Sequence, residues 1–267
     1  MDIAQNLRPG AFEGTAETYL RYRPPYPPPL LADLLGRAKP GPGAVLLDLA
    51  CGPGRVALDL AGAFERVLAV DLEPEMIEVG RAAAARRGIG NVTWMVGRAE
   101  DAEIEAGSVD LITVGEAFHR LEQTVVAAKA FNWLKPGGCF ATLGARSLLD
   151  GDEPWQRTAS EVARRWMARA FPAGWAQGRP DADLGPGGFG RVLRAAGFVD
   201  VENRDFTEPH DWSFEEIVGY LRSTSTCSLK ALGEHGPAFE AELREALVGD
   251  VFSERFSSGC TLGRKPG

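Results

Sequence analysis

The stretch VLLDLACGPGRVA, residues 45–57, sets a single acid, Asp48, into an apolar run that breaks at Gly52-Pro53-Gly54. The run follows a break at KPGPG (39–43), so its short, almost wholly apolar character predicts a buried strand. RVALDLAGAF (55–64) takes up helical spacing directly after the glycines. A carboxylate therefore stands at the end of a buried strand, just before a glycine loop.

Outward from that loop the alternation continues. LLADLLGRA (30–38) precedes it as a helix. RVLAVD (66–71) predicts a second strand ending in an acid, and EPEMIEVGRAAAARRG (73–88) a helix with Pro74 in its first turn and Gly88 at its end. NVTWMVG (91–97) is a third strand, and SVDLITVGEAF (108–118) a fourth with its loop. QTVVAAKAFNWL (123–134) is a helix stopped by KPGG, and CFATLGA (139–145) a fifth strand. Such alternation predicts an α/β fold, a mostly parallel sheet with helices on both faces.

The ends read differently. Residues 1–29 are polar, then proline-rich (RYRPPYPPP), which predicts an arm rather than a core element. PWQRTASEVARRWMARAF and the Gly/Pro/Asp-rich loop after it predict a helical cap insertion. Helices are expected at 188–198, 214–223 and 238–248, and strands at 198–206 and 256–265, the two strands pairing antiparallel. The expected division is an arm or lid at 1–29, a ligand-binding core at 30–145, a cap over 146–190, and completion of the sheet by 191–267.

Bulk properties narrow the partners. The chain has 267 residues, 45% hydrophobic and 25% charged, with a formal net charge of -8, and it has no basic stripe for nucleic acid. An acidic surface suits a cationic small molecule, and also serves solubility alone. Cys51, Cys139, Cys227 and Cys260 form no CxxC and only three histidines are present, so a zinc site or disulfide framework is not expected. MDIAQNLRPG lacks a basic n-region and an apolar h-region, and no apolar run reaches spanning length; a cytoplasmic protein without a membrane segment is expected.

Two ligands compete for the glycine loop. Gly52, Gly54 and Ala57 satisfy the dinucleotide spacing, with Asp71 following on the second strand. An anionic pyrophosphate, however, is repelled by an acid such as Asp48. S-adenosylmethionine has no phosphate and carries an ammonium and a cationic sulfur, which a carboxylate favours. Gly52 and Gly54 let the backbone approach such a ligand, and Asp71 suits the two ribose hydroxyls.

DLACGPG, VLAVDLEPEM, GRAED, VDLITVGEAFH and LKPGG, in this order and spacing, resemble the class I S-adenosylmethionine-dependent methyltransferases. The resemblance covers about 20–145 and implies a Rossmann-like seven-stranded sheet with the last strand antiparallel. FEGTAETYLRYRPPYP resembles the arm of a small-molecule, antibiotic-tailoring subgroup, among them the aminoglycoside N-methyltransferases of gentamicin biosynthesis. Carried over by position, the resemblance places Asp48, Ala50, Gly52 and Gly54 along the methionine and ribose, and Asp71 on the ribose hydroxyls. It places Leu72 and Met76 beside the adenine, and Ala99 and Glu100 on the adenine through amide and side chain. Arg98 stands where many relatives have an acid. Gly115 and Glu116 would sit near the sulfonium, Arg23 would reach the ligand carboxylate, and Tyr19 and Tyr22 would close over it.

The activity implied is methyl transfer to an amine of a small molecule by in-line displacement. A protonated amine must first lose a proton, so His119 and Glu116 are the candidate bases. His119, Tyr19, Trp155 and His210 are the candidate acceptor contacts, His210 being read as a loop residue. An O-methyltransferase is the alternative. An NAD-dependent oxidoreductase lacks a hydride-transfer set, and a non-catalytic cofactor-binding scaffold is a third reading. Plain structural roles stand beside these. Asp48 can cap the following helix. Tyr19, Tyr22 and Tyr26 can pack the arm, and Trp155, Trp166 and Trp175 can form the cap's own core. Asp181 and Asp183 suit a solvated turn, and His235 an exposed one.

Overall fold

Val45–Leu49 forms β1 with all five side chains buried, Leu46, Leu47 and Leu49 completely so. A strand buried on both faces needs neighbours on both edges and helices above and below. The computed structural model, which describes residues 10–171 and 188–267, supplies them. β2 is Arg66–Asp71, β3 Val92–Val96, β4 Val109–Gly115, β5 Leu134–Ala145, β6 Val199–Trp212 and β7 Phe252–Arg264. Their order is β3-β2-β1-β4-β5-β7-β6. The first five are parallel, and β7 runs antiparallel to both β5 and β6. This is the expected Rossmann-like sheet with its last strand reversed.

One face packs Leu30 and Leu34 of α2 (Pro28–Ala38), Val56 and Leu60 of α3 (Arg55–Leu60) and Ile77 of α4 (Pro74–Arg86) on the sheet. The other packs Val126 and Ala130 of α5 (Gln123–Trp133) and Leu193 of α7 (Gly188–Ala195). The prolines before residue 30 do not exclude a helix: Pro28 and Pro29 occupy the first turn of α2, where the missing N–H costs nothing. The arm is also less irregular than its composition suggests. Ala16–Tyr22 forms α1, whose Ala16 buries against Met76 and Val79 of α4. Backbone N–H groups of Gly10 and Gly14 donate to Glu73 and Glu75 at the start of α4.

The closing strands are longer than expected. Pairing of β5 with β7 ends at Ala145↔Ser258, but β6 and β7 stay paired to Trp212↔Phe252. The two therefore overhang the carboxyl end of the parallel sheet. Their overhang joins α6 (Pro154–Ala170), α8 (Phe214–Arg222), α9 (Leu229–Leu232) and α10 (Gly236–Ala246) in a second core containing Leu148, Trp166, Trp212, Ile217, Phe239 and Phe252. The helical layer over the sheet thus draws on the C-terminal segment as well as on 146–190. No helix among the described residues is long and apolar enough to cross a membrane.

Candidate functional site

At the carboxyl ends of β1 and β4 lies a small cleft lined by Tyr19, Tyr26, Asp48, Ala50, Cys51, Gly52, Arg55, Val56 and Gly115. The backbone turns sharply to make it: Ala50 has φ 49° and Gly52 φ 55°, left-handed values that an L side chain adopts at a cost. A Cβ on Gly52 meets nothing within 4 Å, so this glycine faces open space in the cleft. Gly54 differs. Its φ is 79°, and a Cβ there would stand 2.4 Å from the indole of Trp94, which also presses on Gly80. Gly54 serves the packing of loop on strand, not the cleft.

Asp48 is 1% exposed. One carboxylate oxygen accepts from Thr113 Oγ1 at 2.7 Å and the other from the Ala57 backbone N–H at 3.1 Å, capping α3 from the strand. The structural role and the cleft-lining role coexist in one side chain. Burial pushes its carboxyl from the ordinary 3.8 up to about 7, against the two hydrogen bonds that favour the charged form and with the neighbouring Asp71 adding to the rise. Asp71 is also preorganised. Its oxygens accept from Gly52 N–H at 2.7 Å and Glu73 N–H at 2.9 Å, tying the end of β2 to the glycine loop, while burial raises its pKa.

The adenine-side residues divide. Met76 is buried beneath the arm with Phe12, Tyr19 and Leu20, and Leu72 is half-buried beside it. Ala99 packs in the core beneath the sheet. The Glu100 side chain is engaged: one oxygen accepts from Glu122 N–H at 3.0 Å and the other pairs with Arg98 at 3.5 Å, while Lys129 Nζ donates to its backbone carbonyl. Arg98 also pairs with Asp101 and Glu122, a structural reason for a cation at this position.

On the cap side, Glu116 holds a left-handed φ of 56° and accepts from the Ala145 backbone N–H. Burial raises its pKa, opposed by the guanidinium of Arg23, the Ala145 N–H, and the guanidiniums of Arg55 and Arg120. Gly115 has no side chain because Tyr26 Oη occupies the space, 2.7 Å from where a Cβ would be. Tyr26 is therefore part of the cleft wall and not only arm packing. Arg23 lies between the rings of Tyr19 and Tyr220, 4.8 and 4.5 Å from their centres, and donates to Ser223 Oγ at 2.8 Å and Tyr220 Oη at 3.4 Å. Arg55 donates to the Pro24 carbonyl.

Other expected contacts lie elsewhere. Tyr22 does not close over the cleft: its ring packs on Gly219 of α8 and its hydroxyl donates to Glu215 at 2.6 Å. Trp155 packs on Phe252 with its indole N–H bound to the Ser253 carbonyl at 3.0 Å, inside the cap's own core. Trp166 does likewise with Glu242, and His235 packs against it. His210 is a strand residue, not a loop residue; it pairs with Glu254 across β6 and β7 and its ring stands 4.6 Å from Trp212. His119 sits half-buried in a 3-10 turn, Phe118–Arg120, directly after β4 and Glu116. Trp175, Asp181 and Asp183 lie outside the described residues. Arg55, Tyr220 and Ser223 were not signalled, since they sit on helices or helix ends that read as ordinary amphipathic surface.

An open glycine, a left-handed Ala50 and a carboxylate shared between strand and cleft fit the methionine end of S-adenosylmethionine. Among the described residues no cluster of His, Cys, Asp and Glu is arranged to hold a metal ion.

Comparison with known proteins agrees. Residues 46–138 match the methyltransferase domain family. The chain is 29% identical over 231 residues to the nocamycin O-methyltransferase of Saccharothrix syringae, spanning 80% of this chain and 78% of that one. It is 39% identical over 107 residues to the ubiquinone/menaquinone biosynthesis C-methyltransferase of Rubrivivax gelatinosus, 40% of this chain and 41% of that one. Its fold aligns over 100% of its length with 61% of a Haemonchus contortus phosphoethanolamine N-methyltransferase, with a TM-score of 0.55 and 16% identity. The matched segment, residues 46–138, contains β1 to β4 and the glycine loop, so the part of this chain that is similar to the methyltransferase domain family is the part that forms the floor of the cleft.

Proposed function

We propose that the chain transfers a methyl group to an oxygen of a small-molecule acceptor held between the sheet and the cap. The observation that carries this reading is the cleft at the ends of β1 and β4, closed from above by Tyr19 and Tyr26 of the arm. When bound, S-adenosylmethionine supplies a methyl group on a cationic sulfur, already a good leaving group.

The chain's own residues orient and shield. Asp48 attracts the ammonium of the methionine portion. Ala50 and Gly52 bring the backbone close. Asp71 takes the ribose hydroxyls, and Leu72 and Met76 flank the adenine beside the amide of Ala99. Tyr19, Tyr26 and Gly115 line the reacting end and exclude water, so the in-line approach is set by packing. His119, after β4, accepts a proton from an acceptor that needs to lose one, or orients it. Glu116, tied to Ala145, holds the shape of that end.

Oxygen is favoured because one relative aligned over most of both chains, the nocamycin enzyme, is an O-methyltransferase. An amine, as in an aminoglycoside-like antibiotic, is the second reading; the chain's net charge of -8 favours a cationic acceptor. Mass spectrometry after incubation with labelled cofactor and a panel of hydroxyl, carboxylate and amine acceptors decides between them. Label appearing on amines alone would overturn the oxygen reading, and label on none of the panel would count against both.

A further inference from the structure

The methionine end of the cofactor carries one carboxylate, yet two guanidiniums converge on the cleft region. Arg55 lines the cleft itself, beside Asp48 and Gly52. Arg23 lies toward the cap, flanked by Tyr19 and Tyr220, at the end of α8. Neither makes an ion pair among the described residues. The side-chain partners of Arg23 are two hydroxyls, Ser223 and Tyr220, and that of Arg55 is the Pro24 carbonyl. A guanidinium has five donors, so most of the donors of both remain for a ligand.

Glu116 lies within electrostatic reach of both, with one of its oxygens accepting from the Ala145 N–H. Aromatic faces and hydroxyls hold the half-buried Arg23 guanidinium without neutralising it, so its charge remains available to an anion. Bound S-adenosylmethionine satisfies one of the two and adds a cationic sulfur close by. The other guanidinium is then left without an anionic ligand.

Resting on the methyltransferase reading above, we infer that Arg55 takes the cofactor carboxylate and that Arg23 is a specificity residue binding an anionic oxygen group of the acceptor. The planar fork of Arg23, pre-aligned by two rings and Ser223, suits the two oxygens of a carboxylate or phosphate. This reverses the role that the family resemblance implies for Arg23. It also selects, among small-molecule acceptors, those that carry an acidic group near the methylated atom, and disfavours polycations.

Fragment binding to the full chain tests this without turnover. S-adenosylhomocysteine is titrated first by calorimetry; failure to bind sinks the methyltransferase reading itself, separately from the present inference. The loaded protein is then titrated with benzoate, with its neutral isostere benzamide, and with phenyl phosphate. Benzoate or phenyl phosphate should bind more tightly than benzamide by about tenfold or more, the factor expected of a charge-assisted bond, and which anion wins identifies the source. R23Q should abolish that preference while leaving S-adenosylhomocysteine affinity within about threefold, less than the loss of one such bond. R55Q should do the opposite, weakening the cofactor product and keeping the preference. R23K, which retains charge without the fork, should keep part of the preference and guards against misfolding of R23Q. Equal binding of benzoate and benzamide to the wild type, no binding of any fragment, or cofactor loss in R23Q with the preference intact in R23K would each overturn the assignment.

Discussion

The two sides of the cleft are built on different principles. On the sheet side, Asp48 and Asp71 have both oxygens engaged by backbone N–H groups or by Thr113 before any ligand arrives. On the cap side, Arg23 and Tyr19 from one helical segment meet Tyr220 and Ser223 from another, 197 to 200 residues away, through side-chain contacts across the seam. A site held by backbone within one βαβ unit is rigid and tied to the fold. A site held by side chains from remote segments can change its ligand without changing the sheet. The first suits a constant cofactor, and the second an acceptor that differs between relatives.

The largest test falls on the cap side. His119→Ala should lower turnover by ~10²–10⁴ if proton removal is part of the slow step, with cofactor affinity unchanged. Loss of cofactor binding in calorimetry would break the division between the two sides. Asp71→Ala should act on both binding and folding. It leaves the Gly52 and Glu73 N–H groups without their acceptor, each worth about 1–3 kcal/mol if buried, and removes the proposed ribose partner. Urea denaturation and calorimetry should show both losses; a stable protein with weak binding would mean that the loop does not depend on Asp71.

The two loop glycines sharpen the comparison further. Gly54→Ala, driven into Trp94 at a left-handed φ, should cost about 1–3 kcal/mol of stability. Gly52→Ala pays only the backbone strain, about 1 kcal/mol, but places a methyl group in the cleft and should weaken the cofactor more than Gly54→Ala does. Equal effects of the two on binding would erase the distinction drawn from their surroundings.

Asp48 gives a pH signature. Its folded carboxyl titrates near 7 against 3.8 ordinarily, so between these values the folded apo chain holds a proton that the unfolded chain has released. Its contribution therefore makes apo stability fall as pH rises through that window, while affinity for the cationic cofactor rises toward pH 7 and levels above it. Asp48→Asn should flatten its share of both slopes in thermal melts and calorimetry. The smallest change is expected of Trp155→Phe: about 1 kcal/mol of stability from the lost bond to Ser253, and unaltered kinetic constants. A changed KM for the acceptor would return Trp155 to the binding surface.

The same contrast explains what the sequence disclosed. Asp48, Ala50 and Gly52 are neighbours in the chain, and the alternation of strand and helix around them is local, so both the fold and the sheet-side lining of the cleft could be read directly. Gly54 misleads because its constraint, Trp94, is remote in the sequence. His210 reads as a loop residue because Pro209 precedes it, yet β6 is an edge strand, where proline is tolerated. Tyr220 and Ser223 show nothing unusual in helical spacing; it is the approach of α1 to α8 that brings Arg23 against them. Tyr22 and Trp155 are plausible lining residues by type, and tertiary packing turned both toward the cap instead.

The overhang of β6 and β7 has a mechanical meaning. Past Ala145 the ladder narrows from a wide sheet to two strands, and a two-stranded ribbon twists and bends more readily than a sheet flanked on both sides. The cap is a cantilever, rooted where β5 ends and propped at its far side by the Tyr22 and Arg21 contacts with Glu215. The cap thus joins the body through the ribbon and through side-chain ties of the arm to α8, its end and α9, at Glu215, Ser223 and Lys230, none of which belongs to the sheet's own hydrogen-bond ladder.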